Sequence, residues 1–129
     1  MNKQCGTTSK SYGYHSEGKI YHEKSKGDSF STKFKSKDIV GCGYYFSKKA
    51  IFYTINGRFI NWAFTKVEFS NYFPTVSLHS LNEKISFNFG RQKFVFDIEG
   101  FYLVNYFFLR NLIILLNNSI IILRIIYIK

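Results

Sequence analysis

Apolar and polar side chains alternate with a period of two through much of residues 11–99, and turn residues interrupt the pattern at intervals. This alternation constrains the fold more than any other feature of the chain. Along 30–37, Phe30 and Phe34 fall on one face and three lysines fall on the other, as in a strand with one buried face. Several short strands with regular turns predict an all-β fold, an antiparallel two-layer β-sandwich.

The strongest local prediction is an antiparallel meander in the middle of the chain. Asn56 and Gly57 are typical of a type I′ turn, because both central positions of that turn need positive φ. Apolar segments at 50–55 and 58–64 flank this turn, and another precedes them at 39–46. Further strands are predicted at 30–37, at 75–78, at 84–89 with Ile85, Phe87 and Phe89 on the buried face, and through the alternating Phe94, Phe96 and Ile98.

Composition supports the β prediction. Aromatic residues make up 20% of the 129 residues, and the only alanines are Ala50 and Ala63, which favours strands over helices. The net charge of +10 could attract nucleic acid, anionic lipid or an acidic partner, but it equally fits a solvated lysine-rich face. Cys5 and Cys42 lack the spacing of a disulfide framework. They predict free thiols in a reducing compartment, the cytoplasm or the nucleus.

The sequence contains no recognisable catalytic pattern. His15, His22 and His79 are scattered without the spacing of metal ligands, and neither a phosphate-binding loop nor a nucleophile elbow occurs. Cys42 lies between two glycines in an apolar segment, which favours a buried structural thiol over a reactive one. We therefore predict no enzymatic activity, no metal and no cofactor.

The character of the sequence changes after Gly100. Residues 101–129 consist mostly of apolar residues, interrupted by asparagines and by Arg110 and Arg124. The length is sufficient for a transmembrane helix of about 20 residues, although an arginine at a helix centre costs roughly 2.5–3.5 kcal/mol. A translated intron or frame error, a membrane anchor and a helix that binds a partner all remain open. We divide the chain into a domain at 1–100 and an apolar tail at 101–129, for which a helix is one of the structures considered.

A series of short motifs lies along residues 11–99. It comprises Ser11-Tyr12-Gly13-Tyr14-His15, Asp38-Ile39-Val40-Gly41-Cys42-Gly43, Phe52-Tyr53-Thr54, Asn56-Gly57, Ala63-Phe64, Pro74-Thr75-Val76, Asn88-Phe89-Gly90 and Phe94-Val95-Phe96-Asp97-Ile98-Glu99. In this order the motifs resemble the SPRY domain, most closely that of the Ran-binding-protein family of microtubule-organising-centre and CTLH ubiquitin-ligase complexes. The resemblance implies a twisted sandwich that binds proteins through loops at one edge. It also implies a scaffold or substrate-recruiting subunit of a ubiquitin-ligase complex.

The chain departs from the family pattern at both ends. Family domains have several strands before the Ser-Tyr-Gly-Tyr-His motif, which here lies close to Met1. After the Phe-Asp-Ile-Glu motif they continue into helical LisH, CTLH and CRA segments, whereas this chain continues into the apolar tail. A partial SPRY sandwich would have unpaired strand edges and an uncovered apolar face. We expect such a fragment, expressed alone, to be unstable or to aggregate.

The resemblance also suggests a binding surface for a protein or peptide. In related SPRY domains with SOCS boxes, a Tyr-His phrase lies in a loop that contacts peptides, and Tyr21-His22 matches it. The aromatic residue that follows the Pro-x-Val-Ser strand in those domains is absent here, so their peptide motif is not expected to bind. The candidate binding residues are Tyr21, His22, His79, Ser80 and Asn82.

The basic segment suggests an alternative function, the binding of nucleic acid or of an anionic membrane, with Phe30 and Phe34 stacking on bases. The period-two pattern buries those phenylalanines, so we expect no nucleic-acid partner. A membrane location remains an alternative only if the apolar tail anchors the protein. The lysines concerned are Lys24, Lys26, Lys33, Lys35 and Lys37.

Overall fold

The computed structural model describes residues 4–68, 70–79, 81–110, 120–121 and 125–128, with side chains described as far as residue 104. This part of the chain contains short strands, one turn of 3₁₀ helix at Phe46–Lys48 and an α-helix, α1, at Ile98–Arg110. The strands are β1 (Gly13–His15), β2 (Lys19–Tyr21), β3 (Asp28–Ser29), β4 (Ile39–Tyr45), β5 (Ala50–Ile55), β6 (Arg58–Phe64), β7 (Ile85–Asn88), β8 (Ile120–Ile121) and β9 (Ile125–Ile128).

The strands form two antiparallel sheets. The smaller sheet has the order β1-β2-β3, and the larger has the order β6-β5-β4-β9-β7, with β8 also paired to β4. Every pairing in both sheets is antiparallel. This arrangement confirms the predicted all-β antiparallel sandwich.

The central meander has the predicted boundaries in β5 and β6, and β4 ends one residue earlier than predicted. The turn predicted between β5 and β6 is confirmed, because φ is positive at both central residues, +50° at Asn56 and +78° at Gly57. The side chain of Asn56 also ties the turn to the start of β4, since its Oδ1 accepts the Ile39 N–H at 2.8 Å. Asn56 N–H donates to the Ile39 carbonyl at 2.8 Å. The residue types of the turn and its hydrogen bonds to Ile39 therefore stabilise the same hairpin.

One face of the meander packs against the three-stranded sheet. Tyr44, Ile51 and Tyr53 are buried next to Val67, and Tyr14 of β1 packs against this cluster. The rings of Tyr14 and Tyr53 lie 5.0 Å apart. This contact joins the two layers of the sandwich.

The opposite face of the meander is covered by α1 and the segment before it. Tyr45, Phe52 and Phe96 form a second buried cluster, against which Phe101 of α1 packs. The Phe101 ring lies 5.1 Å from that of Phe52 and 5.9 Å from that of Trp62. The meander is therefore enclosed on both sides, which explains its nearly continuous apolar sequence.

Two predicted strands do not form in the structure. Residues 75–78 and 30–37 have no ladder partner in the part of the chain that the structure describes. In the earlier segment the backbone instead bonds the β1–β2 turn, where Gly18 O accepts from Phe30 N and Phe34 N donates to Ser16 O. The predicted buried and exposed faces of this segment are nevertheless correct, because Phe30 and Phe34 are half-buried and the three lysines at 33, 35 and 37 are exposed.

Strand β7 lies where it was predicted, but its buried face was predicted wrongly. Asn88 is only 4% exposed, whereas Phe87 and Phe89 are 45% and 49% exposed. The Asn88 Oδ1 accepts the N–H groups of Gly90 and Gln92. The Asn88 side chain is buried because its oxygen is hydrogen-bonded to the backbone of the turn that follows. These local hydrogen bonds, rather than the apolar alternation, determine which face of β7 is buried.

The alternation predicted to continue through Ile98 ends in a helix instead. Asp97 caps the N-terminus of this helix. Its Oδ1 accepts the Gly100 N–H at 3.0 Å, and its carbonyl accepts the Phe101 N–H at 3.1 Å. Such capping by Asp favours a helix start. Helix α1 crosses the predicted domain boundary at residue 100, and the division into two domains stays a prediction.

The tail contributes to the larger sheet. Strand β9 lies between β4 and β7, pairing Val40 with Ile126 on one side and Phe87 with Ile126 on the other. Residues 111–119, 122–124 and 129 lie outside the described part. Within that part, no helix combines the length and apolar character needed to cross a membrane.

Candidate functional site

A groove of about 1420 Å³ lies between the three-stranded sheet and the meander. Its floor consists of Val40, Cys42 and Tyr44 from β4 with Ile51 and Tyr53 from β5. Its walls are formed by residues 12–17 and 34–36 on one side and by residues 72–79 on the other. The floor is rigid, because β4 and β5 pair along six consecutive residues.

The acidic groups on the groove floor remain protonated at neutral pH. Cys42 is half-buried as a residue, but burial of its thiol raises the thiol pKa to about 12. Burial also raises the pKa of Tyr53 well above its usual value, and the neighbouring Cys42 raises it further. A thiol nucleophile needs a lowered pKa, so Cys42 has the opposite of the required environment.

Tyr21, a predicted binding residue, is buried at the groove wall. It is 8% exposed, and its ring stacks on that of His15 at 4.0 Å. Its hydroxyl donates to Glu17. The ring lies over Gly27, where an added Cβ would approach it to 2.5 Å. Tyr21 lines the groove from this fixed position.

His22 does not line the groove. Its ring stacks on Tyr12 at 4.1 Å with an interplanar angle of 11°, and its Nδ1 donates to the Ser11 carbonyl at 2.9 Å. Burial and the neighbouring Tyr72 raise the pKa of Tyr12 to about 12. Both residues of the Tyr21-His22 phrase therefore stack on neighbouring rings of the domain.

The second predicted loop is exposed. His79 lines the groove, and its backbone N–H donates to the Glu83 carboxylate at 3.0 Å. Asn82 is exposed at the tip of this loop with φ of +68°, next to Leu81, which is 94% exposed. Ser80 lies outside the described residues. Of the predicted site residues, the structure brings Tyr21 and His79 to one groove, and His22 and Asn82 lie apart from it.

Comparison with protein-family models matches residues 1–92 to the SPRY domain. The chain belongs to the SPRY domain family. A SPRY domain is a protein-interaction module, so the groove and its rim loops become the candidate recognition surface.

Curated relatives agree with this family. The chain is 39% identical over 102 residues to Ran-binding protein M homolog from Arabidopsis thaliana, and 36% identical over 102 residues to human Ran-binding protein 9. It is also 39% identical over 79 residues to dual specificity protein kinase splA from Dictyostelium discoideum. The first two matches cover 78% of this chain but only 22% and 14% of those proteins, and the third covers 61% of this chain and 3% of the kinase. No solved structure matches the chain significantly.

In this SPRY domain residues 72–79 form a groove wall, of which the sequence predicted a strand at 75–78 and a binding residue at His79. Exposure alternates along it, with Pro74 and Val76 half-buried and Phe73, Thr75 and Ser77 exposed. A strand was predicted at 75–78, but these residues have no ladder partner in the described part of the chain.

The lysines of the basic segment are exposed to solvent, and its phenylalanine rings contact another aromatic ring of the domain. Lys33, Lys35 and Lys37 are exposed and have no ion pair with the described residues. The rings of Phe30 and Phe34 contact that of Tyr14 at centroid distances of 5.4 and 5.1 Å. Aromatic faces that pack on the sandwich do not offer the stacking platform that single-stranded nucleic acid needs.

No group of three or more His, Cys, Asp or Glu side chains in the described ranges is arranged to hold a metal ion.

Proposed function

We propose that this SPRY domain is a non-catalytic recognition module that holds a polypeptide ligand at the groove and at the loop that carries His79 and Asn82. The observation that carries the proposal is the groove of about 1420 Å³ beside this loop on a rigid sheet. Loops carried on a rigid scaffold are the usual place for recognition residues. The raised pKa of Cys42 supports a role without covalent chemistry.

We further propose that the domain is part of a Ran-binding-protein-like scaffold or of a substrate-recruiting subunit of a ubiquitin-ligase complex. Support comes from the relatives, which include Ran-binding proteins M, 9 and 10. Those names attribute Ran binding to the relatives, so Ran is the first protein to test directly. The proposed location is the cytoplasm or the nucleus, where reduced cysteines persist.

Site-specific photo-crosslinking tests this proposal. A photoreactive amino acid replaces His79 in one variant and Lys93 in a control, since Lys93 is exposed but does not line the groove. After irradiation in cells, mass spectrometry identifies the attached proteins. We expect protein adducts at position 79 that include ubiquitin-ligase subunits or their substrates, and none of these at position 93.

Two outcomes would contradict different parts of the proposal. If position 79 gives no protein adduct beyond the control, recognition at this loop is wrong. If position 79 captures specific proteins, but none belongs to a ubiquitin-ligase complex or is ubiquitinated, only the assignment to that complex fails.

A further inference from the structure

Strand β7 (Ile85–Asn88) lies at one end of the larger sheet and pairs only with β9 among the described strands. Successive residues of a strand direct their N–H and C=O groups to alternate edges, so part of the β7 backbone points away from β9. These groups have no further backbone partner within the described ranges. An edge of this kind is a template for another strand.

The strand at the other end of the sheet, β6, is protected against such pairing. Its register with β5 shifts at two places along the strand. The side chain of Asn61 also occupies one backbone donor of β6, because its Oδ1 accepts the Trp62 N–H at 2.8 Å. Bulges twist an edge strand and interrupt its row of backbone groups. Of the two ends of the sheet, β7 is therefore the one open to a partner strand.

The exposed face of β7 is apolar. Phe87 is 45% exposed, and Phe89, which directly follows the strand, is 49% exposed. Their rings lie 5.5 Å apart with an interplanar angle of 28°. Ile85 falls on the same face by alternation and is half-buried. An apolar row beside an open edge is stabilised when cross-strand side chains of a neighbouring strand cover it.

The sequence around β7 is self-complementary about Phe87. Ile85 and Phe89 lie at equal distances before and after it, and so do the oppositely charged Glu83 and Arg91. In an antiparallel pair centred on Phe87, Ile85 of each copy lies opposite Phe89 of the other. Glu83, just before the strand, and Arg91, in the bend after it, then approach each other at both ends of the pair.

Charge and facing favour this register over its neighbours. A shift by one residue in either direction places the exposed aromatic face of one copy beside the Asn88 face of the other, and one of the two shifts also brings Lys84 opposite Arg91. Arg91 forms no ion pair with the described residues. Oε2 of Glu83 accepts the His79 N–H at 3.0 Å, but a carboxylate has about four acceptor sites and can also accept from an arginine.

We propose that two copies of this chain associate through antiparallel β7 edges, in register about Phe87, and form one continuous sheet across a twofold axis. The symmetry of the pattern favours a second copy, because an unrelated strand would have no reason to match it from both ends. The contact is isologous, so it closes at a dimer. Only four residues of each copy form the strand, so the interface is small and the dimer depends on concentration. Association at β7 is separate from ligand recognition at the groove.

Sedimentation velocity of the full chain over a wide concentration range tests the dimer. The buffer contains roughly 0.15 M salt, where a Debye length of about 8 Å screens the net charge of +10 on each copy. Glu83→Arg and Arg91→Glu each bring like charges together at both ends of the pair, and each should weaken the dimer at least about tenfold.

A mixture of these two variants provides the decisive comparison. In a mixed dimer, each end of the pair again has one arginine opposite one glutamate, so association should return to within severalfold of that of the unaltered chain. Arg58→Glu is the control, because it makes the same change of charge at an exposed position on the protected strand β6. It should change the dissociation constant less than about twofold.

Disulfide trapping keeps the test decisive if a charge variant misfolds. Phe87→Cys places a thiol on the proposed twofold axis, where directly opposite Cβ atoms lie about 4.5–5.5 Å apart. Mild oxidation should link position 87 of two copies, as identified by peptide mapping, whereas Arg58→Cys should give no such link at its own position.

Three results would overturn the proposal. They are a monomer at every concentration, a dimer that neither charge variant weakens, and assemblies that grow beyond a dimer as the concentration rises. If the mixture does not restore association, the trapping experiment decides. A link between two copies at position 87 supports pairing of β7, and the absence of this link overturns it.

Discussion

At the scale of single residues, local backbone chemistry was predictable and side-chain surroundings were not. Asn56 and Gly57 were identified from the sequence because positive φ restricts the choice of residue. The buried thiol of Cys42 was likewise expected from its apolar, glycine-flanked setting. Tyr21 was predicted to contact a ligand, but its ring packs on His15 and over Gly27. Neither contact has a signature in the local sequence.

Gly57 should be intolerant of a side chain. A Cβ at this position would meet Val95 Cγ1 and the Val95 carbonyl at 2.8 Å, and φ is +78°. We expect Gly57→Ala to lower the free energy of unfolding by about 1–3 kcal/mol. Urea denaturation measures the loss, and Lys93→Ala serves as an exposed control. Equal midpoints for the two variants would contradict this explanation of the turn.

Alkaline pH should destabilise the fold through the groove floor. The Cys42 thiol has a folded pKa of about 12 against an ordinary value of 9.0, and the Tyr53 pKa is raised well above 10.0. The unfolded chain therefore loses these protons first, so the stability present below about pH 9 is lost as pH rises toward 12. Thermal melting across this range should show a smaller decrease for Cys42→Ala than for the unaltered chain.

The same thiol should resist alkylation. In the native chain at pH 8, iodoacetamide should leave Cys42 unmodified, because the thiolate is the reactive form. Peptide mapping by mass spectrometry in native buffer and in denaturant makes the comparison. Rapid modification of Cys42 in native buffer would show that its environment differs from the one described.

At the scale of elements, predictions succeeded where the determinants are local. The meander β4–β6 was predicted almost residue by residue, since its segments flank a strong turn. Phe94, Phe96 and Ile98 were predicted to alternate in a strand, and a helix was considered only for the tail from residue 101, whereas helix α1 begins at Ile98. The Asp97 cap is a local signal that could have indicated it. The face of β7 was reversed because Asn88 bonds its own following turn.

Helix α1 should stabilise the meander through one ring. The Phe101 ring contacts those of Phe52, Phe59 and Trp62 at centroid distances of 5.1, 5.0 and 5.9 Å. We expect Phe101→Ala to cost about 2–4 kcal/mol, the loss of a substantially buried aromatic side chain. Leu103→Ala is the control, because Leu103 is 53% exposed. Chemical denaturation giving equal losses for both variants would contradict this packing.

At the scale of the whole molecule, sheet order was beyond prediction from the sequence. The fold class followed from alternation, and the family followed from the order of short motifs. The position of β9 between β4 and β7 depends on pairings over long sequence separations, for which a single sequence has no local signature. The groove is also a property of the assembled layers, which is why the sequence predicted a strand at 75–78 but not the groove wall that residues 72–79 form.

Exposed apolar side chains should make the isolated chain prone to association. Phe73 is 85% exposed and Leu81 is 94% exposed, and exposed apolar surface of this kind favours aggregation. We expect light scattering to rise during thermal unfolding, and Leu81→Lys to reduce it because a charge blocks apolar contacts. A soluble monomer with a sharp, cooperative transition would contradict the expected instability.

Hydrogen exchange of the full chain is the most direct test of the sandwich on which the account depends. Amides of β4, β5 and β6 should exchange slowly, because the meander is paired and enclosed. Amides of residues 75–78 should exchange rapidly, because they have no hydrogen-bond acceptor within the described part of the chain. Fast exchange throughout β4, β5 and β6 would contradict the sandwich.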